Sequence, residues 1–249
     1  MDNLRNAFPA KTEIERKKIA RKFYRNLTDT FLESIKLISI SKKGIQKHID
    51  ADLSVIERLH REGRKCQVHL GHNFNWELAS FAFALRSPFL YLAVYMPIGN
   101  KVIDRIFLKI RQRTGGIFLP ATNMREAIAP YRDKQYLLAL VADQNPGHPG
   151  NAYWFNFFGR PTPFLKAPEK AARNFNIPVL FAYIHKDRRG YYNAAITLAH
   201  ENPAELAEAE LTRQYVKYLQ QVITQYPDMW LWSHRRWKWE WKEEYGPVL

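Results

Sequence analysis

His72 and Glu77 are the two residues of this sequence whose types and spacing best suit acid–base chemistry. The histidine follows an apolar run, and the glutamate comes five positions later, where a helix is expected to begin. A neutral imidazole is a general base near neutral pH, and a carboxylate on one ring nitrogen fixes its tautomer and stabilises the imidazolium. Such a pair could remove a proton from a hydroxyl, which would then attack a thioester carbonyl without a covalent enzyme intermediate.

Whether these side chains meet depends on where the helix starts. Inside one helix, a separation of five residues places two side chains on different faces. Asn75 suits an N-cap, so we expect His72 to lie in the preceding turn and to fold back towards Glu77. A core histidine beside a capped helix is the alternative, because the bare pattern is common. His69 adds a third potential metal ligand, but the spacing matches no zinc pattern.

The composition indicates one folded domain. The chain has 249 residues, 46% of them hydrophobic, without a repeat or a flexible linker, so we expect a single domain over residues 1–249. One cysteine, Cys66, excludes an internal disulfide framework. No N-terminal stretch reads as a signal peptide, and no apolar run approaches the roughly 20 residues that span a bilayer. We therefore expect a protein that can lie on a membrane without crossing it.

The charge balance favours anionic partners. Lys and Arg number 38 against 24 Asp and Glu, a formal charge of +14. Acidic lipid headgroups, phosphorylated glycolipids, nucleic acid and an acidic carrier protein would all be attracted, and charge does not choose among them. A solvated basic surface is the plain alternative.

Strand-like and helix-like segments alternate along the chain. The predicted strands are 65–70, 90–96, 136–142, 178–185 and 191–198. The predicted helices are 13–39, 76–85, 102–111, 123–131, 168–174 and 203–226. This order predicts an α/β fold, a single-domain α-β-α sandwich with a mostly parallel or mixed central sheet. Sites in such sheets collect at the carboxyl ends of strands, and both His72 and Asp143 follow predicted strands.

Within residues 1–40, the segment 13–39 predicts one long amphipathic helix. Five apolar residues recur every four positions and predict a stripe packed on the domain: Ile19, Phe23, Leu27, Phe31 and Ile35. Its first half is rich in lysine and arginine, so the helix could also touch a membrane surface.

Three further residues have side chains suited to binding. Arg113 and Arg125 carry guanidinium forks that could hold a phosphate or an oxyanion, and a plain surface position is the alternative for each. Asp143 follows a buried strand and could fix Arg125 or a backbone loop.

The C-terminal region interleaves aromatic and basic residues. Its members are Trp230, Trp232, Arg235, Arg236, Trp237, Lys238, Trp239 and Trp241. This pattern suits a lipid headgroup interface, stacking on single-stranded nucleic acid, or core packing.

Several segments, in order, resemble the lipid A biosynthesis acyltransferases of the lysophospholipid acyltransferase superfamily. Gly-His-Asn-Phe-Asn-Trp-Glu-Leu at 71–78 is similar to their active-site motif. The other matching segments are the basic helix and glycine at 105–116, Asn-Met-Arg at 123–125, Ala-Asp-Gln at 142–144, Phe-Phe-Gly-Arg-Pro at 157–161 and the tryptophan-rich 230–238. The resemblance covers nearly the whole chain.

The resemblance implies transfer of a fatty acyl chain to a hydroxyl of a lipid A precursor or related membrane lipid. His72 would be the base and Glu77 its partner, with no metal and no cofactor beyond the acyl thioester. Substrate-binding residues are expected at Asn75, Arg113, Arg125, Asp143, Gln144, Arg235 and Arg236. The expected partners are acyl carrier protein or acyl-CoA, a membrane lipid acceptor and an anionic membrane surface, but not nucleic acid.

The resemblance also implies a location at the cytoplasmic face of the bacterial inner membrane. Members usually carry an N-terminal transmembrane anchor, and residues 3–9 resemble the sequence just after it. We therefore expect a peripheral form, either truncated or divergent.

Departures from the family motif leave alternatives open. The common motif reads His-Phe-Gly-Asn-Trp-Glu, whereas Asn73 and Phe74 stand here in place of Phe and Gly, and we expect Phe74 to narrow the acyl or acceptor path. The acceptor could instead be an amino-acid lipid or another glycolipid. A hypothesis of a different class is a non-catalytic basic module that binds anionic membrane or nucleic acid.

Overall fold

A seven-stranded sheet forms the centre of the molecule. The computed structural model describes all 249 residues. The strands are β1 (Ile49–Ala51), β2 (Cys66–Leu70), β3 (Leu90–Tyr95), β4 (Ile117–Pro120), β5 (Tyr136–Val141), β6 (Ala152–Phe157), β7 (Arg160–Leu165), β8 (Val179–Arg188) and β9 (Tyr191–His200). The helices are α1 (Asp2–Ala7), α2 (Glu13–Lys36), α3 (Lys42–His48), α4 (Ser54–Arg61), α5 (Trp76–Arg86), α6 (Lys101–Arg111), α7 (Met124–Ala127), α8 (Ala167–Asn174) and α9 (Glu210–Gln225).

The sheet has the order β1-β9-β8-β2-β5-β3-β4 and is mostly parallel. Strands β8, β2, β5, β3 and β4 run in one direction, and β9 reverses after a tight turn at Gly190. Strand β1 pairs with β9 in parallel, and β6 and β7 form a separate hairpin. The predicted single-domain α/β fold with a mixed sheet is confirmed.

The central strands are apolar because helices cover both faces. Four of the six residues of β5 are buried, as expected when a parallel strand has no solvent side. On one face, Val68 of β2 packs in a cluster with residues of α4 and α5. On the other face, the ring of His69 meets Tyr215 of α9. The two faces of β2 therefore place α5 and α9 on opposite sides of the sheet.

The predicted stripe of α2 is only half right. Phe23 is buried and Ile19 and Leu27 pack against the core, but Phe31 and Ile35 are 66% and 63% exposed. A residue every four positions advances about 40° beyond a full turn at each step, so such a row winds away from a flat contact face. Polar Asp29 takes the inward position and bonds Lys186 of β8.

Element boundaries differ where prolines and short strands intervene. The predicted helix 123–131 is a four-residue α7 followed by a single turn, and the predicted helix 203–226 begins only at Glu210. The β6–β7 hairpin was not expected, since Pro161 and Pro163 lie within β7 and weaken a strand pattern. No helix combines the length and the apolar character that a bilayer crossing requires.

Candidate active site

The register of the sheet brings His72 and Asp143 together. Leu70, the last residue of β2, pairs with Val141, the last residue of β5. One residue follows each strand, Gly71 or Ala142, and leads to His72 or to Asp143. Because the strands are parallel, both side chains emerge at the same edge of the sheet.

Asp143 holds the imidazole of His72 through one ring nitrogen. His72 Nδ1 lies 2.6 Å from Asp143 Oδ1, and the backbone N–H of His72 donates to Oδ2 over 2.8 Å. Trp230 Nε1 donates to the same Oδ2 over 2.6 Å. Burial alone would raise the pKa of Asp143, but the nearby His72 and these hydrogen bonds lower it below its ordinary value. An ionised Asp143 therefore accepts from Nδ1–H and leaves the lone pair on Nε2.

Gly71 allows this close approach. A Cβ at this position would lie 2.8 Å from Leu219 Cδ1 and 3.2 Å from Asp143 Oδ2. The turn between β2 and His72 thus has no room for a larger residue.

Gln144 faces the free nitrogen of the imidazole. Its Nε2 lies 3.3 Å from His72 Nε2, a distance that suits a weak hydrogen bond from the amide to the lone pair. This contact fits the tautomer that Asp143 imposes. An acceptor hydroxyl would have to take the place of the amide beside Nε2.

The predicted pairing of Glu77 with His72 is wrong. Glu77 lies in the first turn of α5, and both of its carboxylate oxygens bond Arg111 at the end of α6, with Nε at 3.0 Å. Burial lowers the pKa of Arg111, but the bonds and charge of Glu77 outweigh it and raise the pKa overall. The guanidinium fork binds a carboxylate at two points, which a histidine cannot match.

A largely apolar cavity adjoins these residues. It has a volume of about 360 Å³, and 21 of its 28 lining residues are hydrophobic. This volume falls within the range of about 300–1,000 Å³ that is usual for small-molecule sites. His72, Glu77, Arg111 and Gln144 line it. Arg111 is the one lysine or arginine among the lining residues.

Small side chains make the floor of the cavity. Ala93, Ala139, Ala182 and Ala194 belong to β3, β5, β8 and β9, and all four line it. Alanines on four strands leave space between the sheet and α5. Phe74 does not narrow this space, contrary to expectation, because it is buried against Phe23 and Trp76 and is not a lining residue.

Comparison with known protein families identifies the family to which the chain belongs. The profile of the bacterial lipid A biosynthesis acyltransferases matches residues 1–239. The chain belongs to this family. The predicted resemblance is thereby confirmed, and the family places the chain among acyltransferases of lipid A biosynthesis. No curated protein sequence matches the chain significantly.

Two predicted binding residues of this family member have structural contacts instead. Asn75 is fully buried, caps α5 through Leu78 N at 3.1 Å and donates to Glu33 over 2.8 Å. Arg113 follows α6 and bonds the carbonyl oxygens of Leu37 and Ile40 after α2. Neither residue lines the cavity.

The remaining predicted arginines also lie outside the cavity. Arg125 is exposed on α7 and bonds neither Asp143 nor any other side chain, so the predicted Asp143–Arg125 contact is wrong. The alternative prediction, that Asp143 fixes a backbone loop, is confirmed by its bond from the backbone N–H of His72. Arg235 is exposed, and only its backbone carbonyl is used, by Asn145 Nδ2 at 2.8 Å. Arg236 is fully buried and bonds Asn145 Oδ1 at 2.9 Å, and burial lowers its pKa to about 10.

The C-terminal tryptophans are mainly core residues. Trp230 and Trp232 are buried, Trp237 and Trp239 are half-buried, and Trp241 is the one exposed tryptophan of this segment. An antiparallel bridge joins Trp230 to Asn73, which places its indole N–H beside Asp143. The sequence left three hypotheses for this segment: a lipid headgroup interface, stacking on nucleic acid, or core packing. Core packing is the correct one for Trp230 and Trp232.

Sequence reasoning missed Arg111, Trp230 and Asn145 as site residues. On a helical wheel, Arg111 lies off the apolar row that contains Val102 and Ile106, so the pattern predicts a solvent-facing side chain and gives no signal for its contact with Glu77. No local pattern indicates that Trp230 reaches Asp143, since they are 87 positions apart. Asn145, a lining residue, bonds His234 and Arg236 of the same distant segment.

We expect Asp143→Asn to lower acyl transfer by about a thousandfold or more, because an amide cannot accept from Nδ1–H while it also accepts from Trp230 and the backbone. Initial rates would be measured beside near-ultraviolet circular dichroism, which reports folding. Asp133→Asn, at an exposed position, is the matched control and should leave the rate unchanged. Equal rates in both variants would refute the role of Asp143.

Proposed function

We propose that the protein transfers a fatty acyl chain from an acyl thioester to a hydroxyl of a lipid A precursor or related membrane lipid. The observation that carries the proposal is the His72–Asp143 pair on the wall of the apolar cavity. Because His72 lies on the wall of an apolar cavity, an acceptor hydroxyl can bind beside its ring while the fatty chain of the donor lies in the cavity. Membership of the acyltransferase family supports this reading.

His72 acts as the general base. Its Nε2 takes the proton of the acceptor hydroxyl as the oxygen attacks the thioester carbonyl. Asp143 stabilises the imidazolium that forms. When the tetrahedral intermediate collapses, the carbon–sulfur bond breaks and the leaving thiolate takes the proton back from Nε2. The products are the acylated lipid and the free thiol, and no residue is acylated.

Arg111 supplies positive charge to the cavity wall. The carbonyl oxygen becomes an oxyanion during attack, and donors fixed in advance stabilise such a charge strongly in an apolar site. Glu77 fixes Arg111 by binding two of its nitrogens. In this proposal Glu77 is a positioning residue for Arg111, while Asp143 performs the role that the motif suggests for Glu77.

The cavity holds the acyl chain of the donor. Its floor is alanine and 21 of its 28 lining residues are hydrophobic, so most of its wall offers no partner for a polar ligand. Each methylene that leaves water contributes about 0.8 kcal/mol, so a fatty chain would be bound along its length.

The net charge of +14 suits both co-substrates. Acyl carrier protein is acidic and lipid A precursors are phosphorylated, so both would be drawn to a basic protein. We place the reaction at the cytoplasmic face of the bacterial inner membrane, where such a thioester and such a lipid meet.

We predict that His72→Gln lowers transfer by about a hundredfold or more, because the amide keeps polarity but cannot accept the proton. The assay follows a labelled acyl group from acyl carrier protein, or from CoA in a parallel arm, to a lipid A precursor. His60→Gln on α4 is the control, since this ring packs on Phe89 away from the cavity. Normal turnover by the His72 variant would remove the mechanism.

We further predict that Ala139→Leu shifts donor preference towards shorter acyl chains, by about tenfold in relative rate, because the larger side chain fills the cavity floor. Ala172→Leu overpacks a fully buried alanine outside the cavity and should lower stability without altering chain preference. Competition between donors of different length measures the preference. An unchanged profile for the Ala139 variant would show that the chain binds elsewhere.

A further inference from the structure

Helix α6 has no buried residue, which is unusual for an eleven-residue helix of a folded domain. Val102, Ile103, Ile106 and Phe107 form one apolar face and are 69%, 43%, 53% and 42% exposed. The rest of the chain leaves more than two fifths of each of these side chains exposed. Apolar side chains exposed in a contiguous patch mark a surface that can contact another apolar environment.

The second half of α2 has the same property. Phe31, Leu32 and Ile35 are at least half exposed, and Ile38 just after the helix is 55% exposed. The acidic residues of this half turn inward, since Asp29 is buried and Glu33 bonds Asn75 and Tyr192. The outward face is therefore apolar and without negative charge.

The two apolar faces belong to helices whose C-terminal ends adjoin. Arg113, just after α6, bonds the carbonyl oxygens of Leu37 and Ile40, just after α2, so the helices end side by side. Ten of the seventeen exposed large hydrophobic side chains of the protein fall within residues 31–38 and 96–107. Such clustering distinguishes a contact surface from scattered surface residues. We call the exposed apolar side chains of these two segments the docking surface.

Positive charge borders the docking surface. Lys101, Arg105 and Lys109 form a row on α6 beside its apolar face, and all three are exposed. The one acid of the helix, Asp104, accepts from the backbone N–H of Ile98 over 2.8 Å. An apolar face beside a basic row is typical of helices that lie in the interface of an anionic bilayer. A second copy of the chain would bring the same charges face to face.

The cavity opens at the docking surface. Met96 lines the cavity and is 69% exposed, and Arg111 at the end of α6 lines it as well. A lipid entering beside Met96 would reach the cavity without crossing bulk water.

We propose that the docking surface binds an anionic lipid bilayer, with α6 in the plane of the interface and Ile106 and Phe107 among the acyl chains. This inference rests on the proposed function only for the identity of the lipid that enters the cavity. The binding itself needs no catalysis.

Vesicle flotation tests the proposal. Probe vesicles are phosphatidylcholine alone and phosphatidylcholine mixed with phosphatidylglycerol. The unaltered protein should float with the mixed vesicles, and Ile106→Ser with Phe107→Ser should weaken this binding about tenfold or more. The control is Ile14→Ser with Phe175→Ser, which removes the same residue types from positions that are 81% and 73% exposed, and it should bind normally.

Charge reversal tests the basic row. Arg105→Glu with Lys109→Glu should abolish the preference for the mixed vesicles, since neither residue has an ion-pair partner whose loss would unfold the helix. Circular dichroism would check that each variant remains folded.

Three outcomes would overturn the proposal. The unaltered protein could fail to float, the two serine pairs could behave alike, or sedimentation could show a dimer that only the Ile106 and Phe107 changes dissociate. His72→Gln should float normally, so failure of the docking surface and failure of the catalytic proposal are distinguishable.

Discussion

The hydrogen bond between His72 Nδ1 and Asp143 Oδ1 is the contact on which the rest of the site depends. It requires parallel pairing of β2 with β5 in a register that ends both strands together. A side chain at Gly71 would collide with Leu219 and crowd the aspartate, and Trp230 helps to keep the buried carboxylate ionised. The register of β2 with β5, the absence of a side chain at Gly71 and the indole of Trp230 therefore all favour the tautomer of His72 with its proton on Nδ1.

The ion pair between Glu77 and Arg111 is separate from the pair between His72 and Asp143. The sequence motif predicts that Glu77 orients His72, whereas in the structure Asp143 orients His72 and Glu77 binds Arg111. Glu77 binds Arg111 and so keeps a cation on the wall of an otherwise apolar cavity. Glu77 and Arg111 are both partly buried, and each stabilises the charged form of the other. Removing one of them would leave the other charge desolvated and without a partner, which is strongly unfavourable. The proposed reaction needs both arrangements, a base with a free lone pair and a fixed positive charge for the oxyanion. In the proposed docking, the exposed apolar faces of α6 and α2 turn the cavity mouth towards lipid.

Much of the fold was predictable because its signals are local. The apolar run 136–142 and the helix at Trp76 follow directly from residue type and period, and the strand ends pointed to His72 and Asp143. The partner of His72 was not predictable with the same means. Five positions of spacing favoured Glu77, whereas strand register, a non-local property, selected Asp143. Arg236 shows the same limit, since its burial depends on Asn145 and Pro163 far away in the chain.

Nitrogen-15 NMR of the His72 ring, at a pH where the ring is neutral, tests the central claim most directly. Long-range proton–nitrogen spectra distinguish which ring nitrogen carries the proton, and comparison with His72→Gln assigns the signal. The account predicts the proton on Nδ1, facing Asp143, and a free lone pair on Nε2. A proton found on Nε2 would contradict it, because the ring could then neither donate to Asp143 through Nδ1 nor accept a proton from a lipid hydroxyl.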